Sequence, residues 1–209
     1  MTDFTIVLGD RNTSSWSLRG WLALKQTGAA FDEIGVSFKD PDVKTHILAH
    51  LPSGMVPMLK HLAPEGEVHV WESLAIIEYL AELYPDAGLW PEDRAARAFA
   101  RTVSDELHAG FSPLRRHMPM NLLDDKSGDG MGEGVAANIA RICAIWEDCL
   151  ERFAKDGDFL FGAFTGADIM FAPVVTRFDT YGVDLPARCR AYADAVRAKP
   201  EMLEWTAGA

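Results

Sequence analysis

The stretch DAGLWPED, residues 86–93, divides the chain into two unlike halves and constrains its fold more than any other feature. Proline, glycine and acidic residues cluster there, as they do at a domain boundary. Before it, strand-like and helical apolar runs alternate. Beyond it no strong strand pattern occurs. The reading is one domain over 1–84, a linker over 85–92 and a second domain over 93–209.

In the first half, FTIVL at 4–8 alternates, with Phe4, Ile6 and Leu8 on one face of a half-buried strand. From Ser15 to Thr27 the apolar spacing turns helical through Leu18, Trp21, Leu22 and either Leu24 or Lys25, with Gly28 as C-cap. FDEIGVSF at 31–38 reads as a second strand, and 40–50 as polar with a short helix at most. VPMLKHL (56–62) and VHVW (68–71) flank APEGE and predict a hairpin. In ESLAIIEYLAELYP, Leu74, Ile77, Leu80 and Leu83 or Tyr84 form a helical stripe that Pro85 ends. The order β-α-β-(α)-β-β-α predicts a small α/β domain with a mixed sheet. In the second half, 92–122, 135–155, 165–181 and 186–199 read as helices, and DDKSGDGMGEG (124–134) as a loop. That half is predicted to be an all-α helical bundle.

Composition narrows the partners. A 48% hydrophobic and 24% charged chain is of the ordinary globular kind. Its net charge of −11 argues against nucleic-acid and membrane-surface binding, because phosphate and anionic lipid repel it. No apolar run approaches the roughly 18 residues of a membrane span. MTDFTIVLGDRN lacks the basic start and apolar core of a signal peptide, so a cytoplasmic location is expected. Cys143, Cys149 and Cys189 show neither CxxC nor Cys/His metal spacing. Reduced, buried thiols are expected, no metal site, and no CxxC redox chemistry.

Four short motifs carry chemistry. In TSSWSLRGW, Ser14 and Ser15 stand where a helix begins; they either cap it or hold a hydroxyl for reaction. Pro57 in GMVPML suits the first residue of a strand, with a cis Val56–Pro57 bond as the alternative. In WESLAIIEYL, Ser73 is placed to be an N-cap and Glu72 adds favourable negative charge. Alternatively, the open helix end and Ser73 hold a carboxylate while Glu72 takes an ammonium, a pairing suited to an amino-acid head group. Thr165 and Asp168 in FTGADIMFAP fit a capping box, with Phe164 stapled onto Ile169, and read as structural.

In this order and spacing the motifs resemble the cytosolic glutathione transferases over nearly the whole chain. ESLAIIEYL is similar to the zeta class, and the serine turn to the zeta/theta-like serine classes. The resemblance implies a thioredoxin-like N-terminal domain, a cis Val56–Pro57 bond, and glutathione as co-substrate. Val56 would pair with its cysteinyl backbone, and Glu72 and Ser73 would bind its γ-glutamyl head. A free thiol, with a pKa of about 8.5, is a poor nucleophile at neutral pH, and a hydroxyl donating to the sulfur at a helix N-terminus favours the thiolate. By resemblance Ser14 is the first choice for that hydroxyl and Ser15 the second, with Asn12, Thr13 and Trp16 close by. The absence of cysteine from the turn argues against the classes that form mixed disulfides with glutathione.

LPSGMVP offers Ser53, Gly54 and Met55 where zeta-like chains carry a polar ligand residue. The glycyl carboxylate is therefore left to Lys39, Lys44, His46 or His50. DELHAGFSPLRRHMPMN (105–121) is the expected electrophile pocket, through His108, Arg115 and Met118. Arg115, Arg116 and His117 point to an anionic co-substrate, although a plain amphipathic helix–turn–helix also explains them. Trp205 either covers the cleft or packs on the bundle. The implied activity is glutathione transfer to a small electrophile by a homodimer. The alternatives are cis–trans isomerisation of the maleylacetoacetate type and a non-catalytic binding module.

Overall fold

The computed structural model describes residues 2–50, 54–155 and 157–209; the side chains at positions 43, 46, 49 and 50 fall outside it. Strand β1 (Phe4–Leu8) runs parallel to β2 (Phe31–Gly35) and antiparallel to β3 (Met58–Ala63), which pairs antiparallel with β4 (Gly66–Trp71). The sheet order is β2-β1-β3-β4. Helices α1 (Ser15–Thr27) and α3 (Ser73–Leu83) bury Leu18, Trp21, Leu22, Ile76, Ile77 and Leu80 in one core with Phe4, Ile6 and Leu8. The opposite face of β1 is also covered. Val7 packs with Val36, Met58 and Ile47 of α2 (Val43–His50), so β1 is buried on both sides rather than half-buried. This is the mixed-sheet α/β domain that the element order predicted, in the thioredoxin-like form that the family resemblance implied.

Strand β2 is shorter than FDEIGVSF suggested. Val36 N–H still donates to Leu8 O at 2.7 Å, but the chain then turns, with Asp40 N–H on Ser37 O. After α3, a single 3-10 turn (Pro85–Ala87) leads into the helical half: α4 (Arg94–Ala109), α5 (Ser112–His117), α6 (Val135–Phe153), α7 (Gly166–Thr180), α8 (Ala187–Arg197) and α9 (Pro200–Ala207). The single helix expected over 92–122 is thus two helices. Phe111 takes a left-handed φ of 63°, and Pro113 in the first turn of α5 cannot extend the preceding helix.

The central helix is α7, buried nearly all round. It packs against α1 across the domain boundary, so the main core is continuous through both halves. The linker is fastened to its start. Gly166 N–H donates to Leu89 O at 2.7 Å, and a Cβ at Gly166 would lie 2.9 Å from that oxygen. Only a residue without a side chain allows this approach.

Candidate active site

A cleft of about 250 Å³ opens between the domains, lined by Trp16, Met55, Val56, Pro57, Trp71, Glu72, Ser73 and His108. The sheet builds most of it. Val56–Pro57, a cis bond, leads into β3, and β4 ends opposite at Trp71, which pairs with Met58. Gly20 in α1 makes room for this corner, since a Cβ there would sit 3.0 Å from Pro57 Cγ. The chain then bends sharply at Glu72 to start α3.

Glu72, rather than Ser73, occupies the N-cap position of α3. Its φ of 68° and ψ of 124° are unusual for a residue with a side chain, and it makes no capping hydrogen bond. Such strain persists where the surroundings enforce it and clusters at ligand sites. The N-cap expectation for Ser73 is therefore corrected. Ser73 is the first helical residue, fully buried, with its hydroxyl 3.9 Å from Met170 Sδ of α7. Among the described residues the N-terminus of α3 has no side-chain cap, and it faces the cleft, which suits a carboxylate. The Glu72 carboxylate lies 3.8 Å from His108 Nε2, brought in by α4.

The serine turn is tightly bonded. Ser17 N–H donates to Ser14 Oγ at 3.3 Å, so Ser14 does cap α1. The Ser14 and Ser17 hydroxyls lie 2.8 Å apart and either can donate, while Gly9 N–H donates to Ser17 Oγ at 2.9 Å. Arg177 of α7 donates from Nη2 to Ser15 Oγ at 3.1 Å. Neither Ser14 nor Ser15 lines the cleft; both are buried, and the next residue, Trp16, is the one that reaches it. Asn12 Oδ1 accepts from Leu122 N–H at 2.6 Å and Leu123 N–H at 3.3 Å, so it fastens the turn to the helical domain.

The expected electrophile residues separate. His108 packs edge-on against Trp16 at 5.3 Å, and the Arg115 guanidinium lies 4.7 Å from the centre of the same ring. Met118 does not join them. The break at Gly110–Phe111 turns short α5 inward, and Met118 is buried in a separate apolar cavity of about 470 Å³ with Met131, Ile139 and Tyr181. Lys39 and Lys44 are exposed and line no part of the cleft. Ser53 and the side chains of His46 and His50 lie outside the described residues.

Sequence reasoning missed Trp71, Arg19 and Arg177. Trp71, 45% exposed beside Glu72, is a large apolar ring left at the mouth of the cleft. Arg19 interrupts the apolar face of α1, and Arg177 lies in the apolar run of α7; both are buried. A charge set into an apolar helical stripe is the signal that could have found them. Arg19 Nε donates to Met170 O at 2.8 Å, and its guanidinium sits 4.5 Å from the centre of the Trp16 ring.

Comparison with known proteins agrees with this architecture. The model of the glutathione S-transferase N-terminal domain matches residues 13–83, and that of the C-terminal domain matches 94–205. The chain is 32% identical over 206 residues to a maleylacetoacetate isomerase of Pseudomonas aeruginosa, covering 91% of this chain and 89% of that protein. It is 30% identical over 176 residues to a probable maleylacetoacetate isomerase of Caenorhabditis elegans, covering 84% and 78%. A glutathione transferase homologue from Burkholderia, solved with bound glutathione, shares the fold with a TM-score of 0.73 at 24% identity, covering 98% and 96%. With one model on each half and relatives aligned through both, the chain belongs to the glutathione S-transferase family.

Proposed function

We propose that this glutathione S-transferase binds glutathione along the Val56–Pro57 and Glu72–Ser73 wall of the cleft and transfers its sulfur to a small electrophile. The observation that carries the reading is the pairing of Glu72, at a strained φ in the cleft, with the uncapped start of α3 beside it. An acceptor for an ammonium and a set of donors for a carboxylate thereby lie one residue apart, as a γ-glutamyl head requires. The serine turn supplies the activating hydroxyl, Ser14 first and Ser15 beside it, at the positive end of α1. The thiol proton leaves to solvent. The sulfur lone pair then forms the new S–C bond, and the leaving group departs with its bonding electrons. Trp16 and His108 form the wall facing the electrophile, and the charge of Arg115, against the Trp16 ring, favours an anionic one. By family habit the enzyme works as a cytoplasmic homodimer in detoxification.

Millimolar glutathione should raise the melting temperature of the intact protein, as binding to the native state requires. No shift would overturn the enzyme reading and leave a non-catalytic module. With glutathione binding retained, Ser14→Ala should lower conjugation by about 100-fold and Ser15→Ala by less, within the range of a lost thiolate donor. Unchanged rates in both variants would exclude the serine mechanism.

A second reading, glutathione-dependent cis–trans isomerisation of an unsaturated diacid, draws on the activity named for the two relatives above. Thiolate addition, rotation and loss of the sulfur would then regenerate glutathione. Substrate conversion without glutathione consumption distinguishes it from transfer.

A further inference from the structure

Three arginines from three helices meet around the serine turn. Arg19 (α1) is fully buried, and its Nη1 and Nη2 have no hydrogen-bond partner among the described residues. Arg177 (α7) is 4% exposed, holds Ser15 Oγ, and leaves its Nε unpartnered. Arg115 (α5) donates from Nε to Gly110 O at 3.1 Å and shares the Trp16 ring with Arg19. Among the described residues no carboxylate forms an ion pair with any of them, in a chain whose net charge is −11.

A buried cation without a counter-charge is costly, and three together repel one another. Burial foremost, then Arg115 and Arg177, push the Arg19 guanidinium well below its usual range. Burial, then Arg115, lowers Arg177 to about 9, which leaves it charged at neutral pH. A negative charge developing beside the turn relieves this repulsion. The Ser15 geometry carries the effect to one atom: with an Arg177 N–H on its oxygen, the Ser15 hydrogen is free to donate elsewhere.

We propose that Arg177 is a positioning residue for thiol activation, holding Ser15 from the helical domain and, with Arg19 and Arg115, placing positive charge around the turn that favours the thiolate of bound glutathione. This rests on the glutathione-binding reading above. The other ionisable groups near the turn do not cancel the charge. His108 and Glu72 meet each other beyond Trp16, Asp10 accepts from Thr13 within the turn, and the Tyr181 phenol, near Arg177, is itself pushed up by burial.

The test is a pH titration of enzyme-bound glutathione, followed by thiolate ultraviolet absorbance, on the full chain. Arg177→Met should raise the apparent pKa of the bound thiol enough to lower the thiolate fraction, and kcat at neutral pH, about tenfold, as loss of a nearby opposite charge does. KM for glutathione should change little, and higher pH should restore the rate. Arg177→Lys should recover most of the loss. Half-buried Arg115→Gln should move the titration in the same direction, by less, and keeps the test decisive if Arg177→Met does not fold. Arg141→Gln, which removes an equal charge from the exposed pair with Glu106, should leave it in place. Calorimetry separates the failures. Wild-type protein that binds no glutathione overturns the functional reading. Variants that bind it and titrate as wild type does overturn this inference alone.

Discussion

A carboxyl group that accepts three hydrogen bonds yet meets no solvent is under opposing pressures, and Asp168 is such a group. Its Oδ1 accepts from Leu160 N–H at 3.0 Å; its Oδ2 accepts from Thr165 N–H at 2.8 Å and from the Thr165 hydroxyl at 3.0 Å. Burial dominates and pushes the carboxyl up to about 6, against an ordinary 3.8, while these donors pull it down. Between those values the native state therefore holds a proton that the unfolded chain has released. This contribution to stability is fully present below about pH 4 and is lost as pH rises through about 6, on the order of 3 kcal/mol in all. Asp168→Asn removes the titration, and its amide can accept at only one of the two positions. The variant should be destabilised by about 2 kcal/mol near neutral pH and by more near pH 5, because only the wild type gains on acidification. Urea midpoints of both proteins at the two pH values check this. A loss that shrinks toward low pH would contradict the sign.

Helix α9 shows what a short element does when its contacts are remote. The Trp205 ring is fully buried, 5.3 Å from Trp21 of α1, with the Arg11 guanidinium 4.7 Å from its centre. Its Nε1–H donates to Arg11 O at 2.9 Å, one residue before Asn12 and three before Ser14. The last helix thus props the turn that begins α1 without reaching the cleft. Trp205→Ala should cost about 3–5 kcal/mol, as large-to-small core changes do, and should weaken glutathione binding although Trp205 lines no part of the site. Trp205→Phe, which keeps a ring but loses the N–H, should fall between. Melting curves and glutathione titrations read both effects, and unaltered affinity in folded Trp205→Ala would exclude the prop.

The same helix marks where the sequence was hard to read. Strand β1 and helices α1 and α3 each show their period in three or more apolar residues, and β3 and β4 are marked by the Pro/Gly turn between two apolar runs. PEMLEWTA buries only Met202 and Trp205, too few to show a stripe. The split of α4 from α5 needed the left-handed Phe111, which no local propensity favours. In the site, Val56–Pro57 and Glu72–Ser73 were legible because each is a local junction of strand, turn and helix. The Arg177–Ser15 bond joins residues 162 positions apart, and no periodicity records it.

At the scale of the molecule the two halves share one apolar core. Bonds across the boundary run along α1: Arg177 to Ser15 Oγ, Arg19 to Met170 O, and Gln26 Nε2 to Phe164 O at 3.5 Å. Asn12 holds Leu122 and Leu123, Gly166 holds Leu89, and a single core runs from Ile6 through Leu18 to Phe171. Domains joined by small polar interfaces unfold separately; a shared apolar core links their fates. The chain should therefore unfold in urea as a single transition, with far-ultraviolet circular dichroism and tryptophan fluorescence giving the same midpoint. Trp21 reports on the first half and Trp146 on the second, both fully buried, so fluorescence sees each. The cleft proposed for glutathione is walled by both halves, through Glu72 on one side and His108 on the other. Saturating ligand should accordingly move the whole transition upward without splitting it. Two midpoints, with only the first moving on glutathione addition, would mean that α7 does not couple the domains.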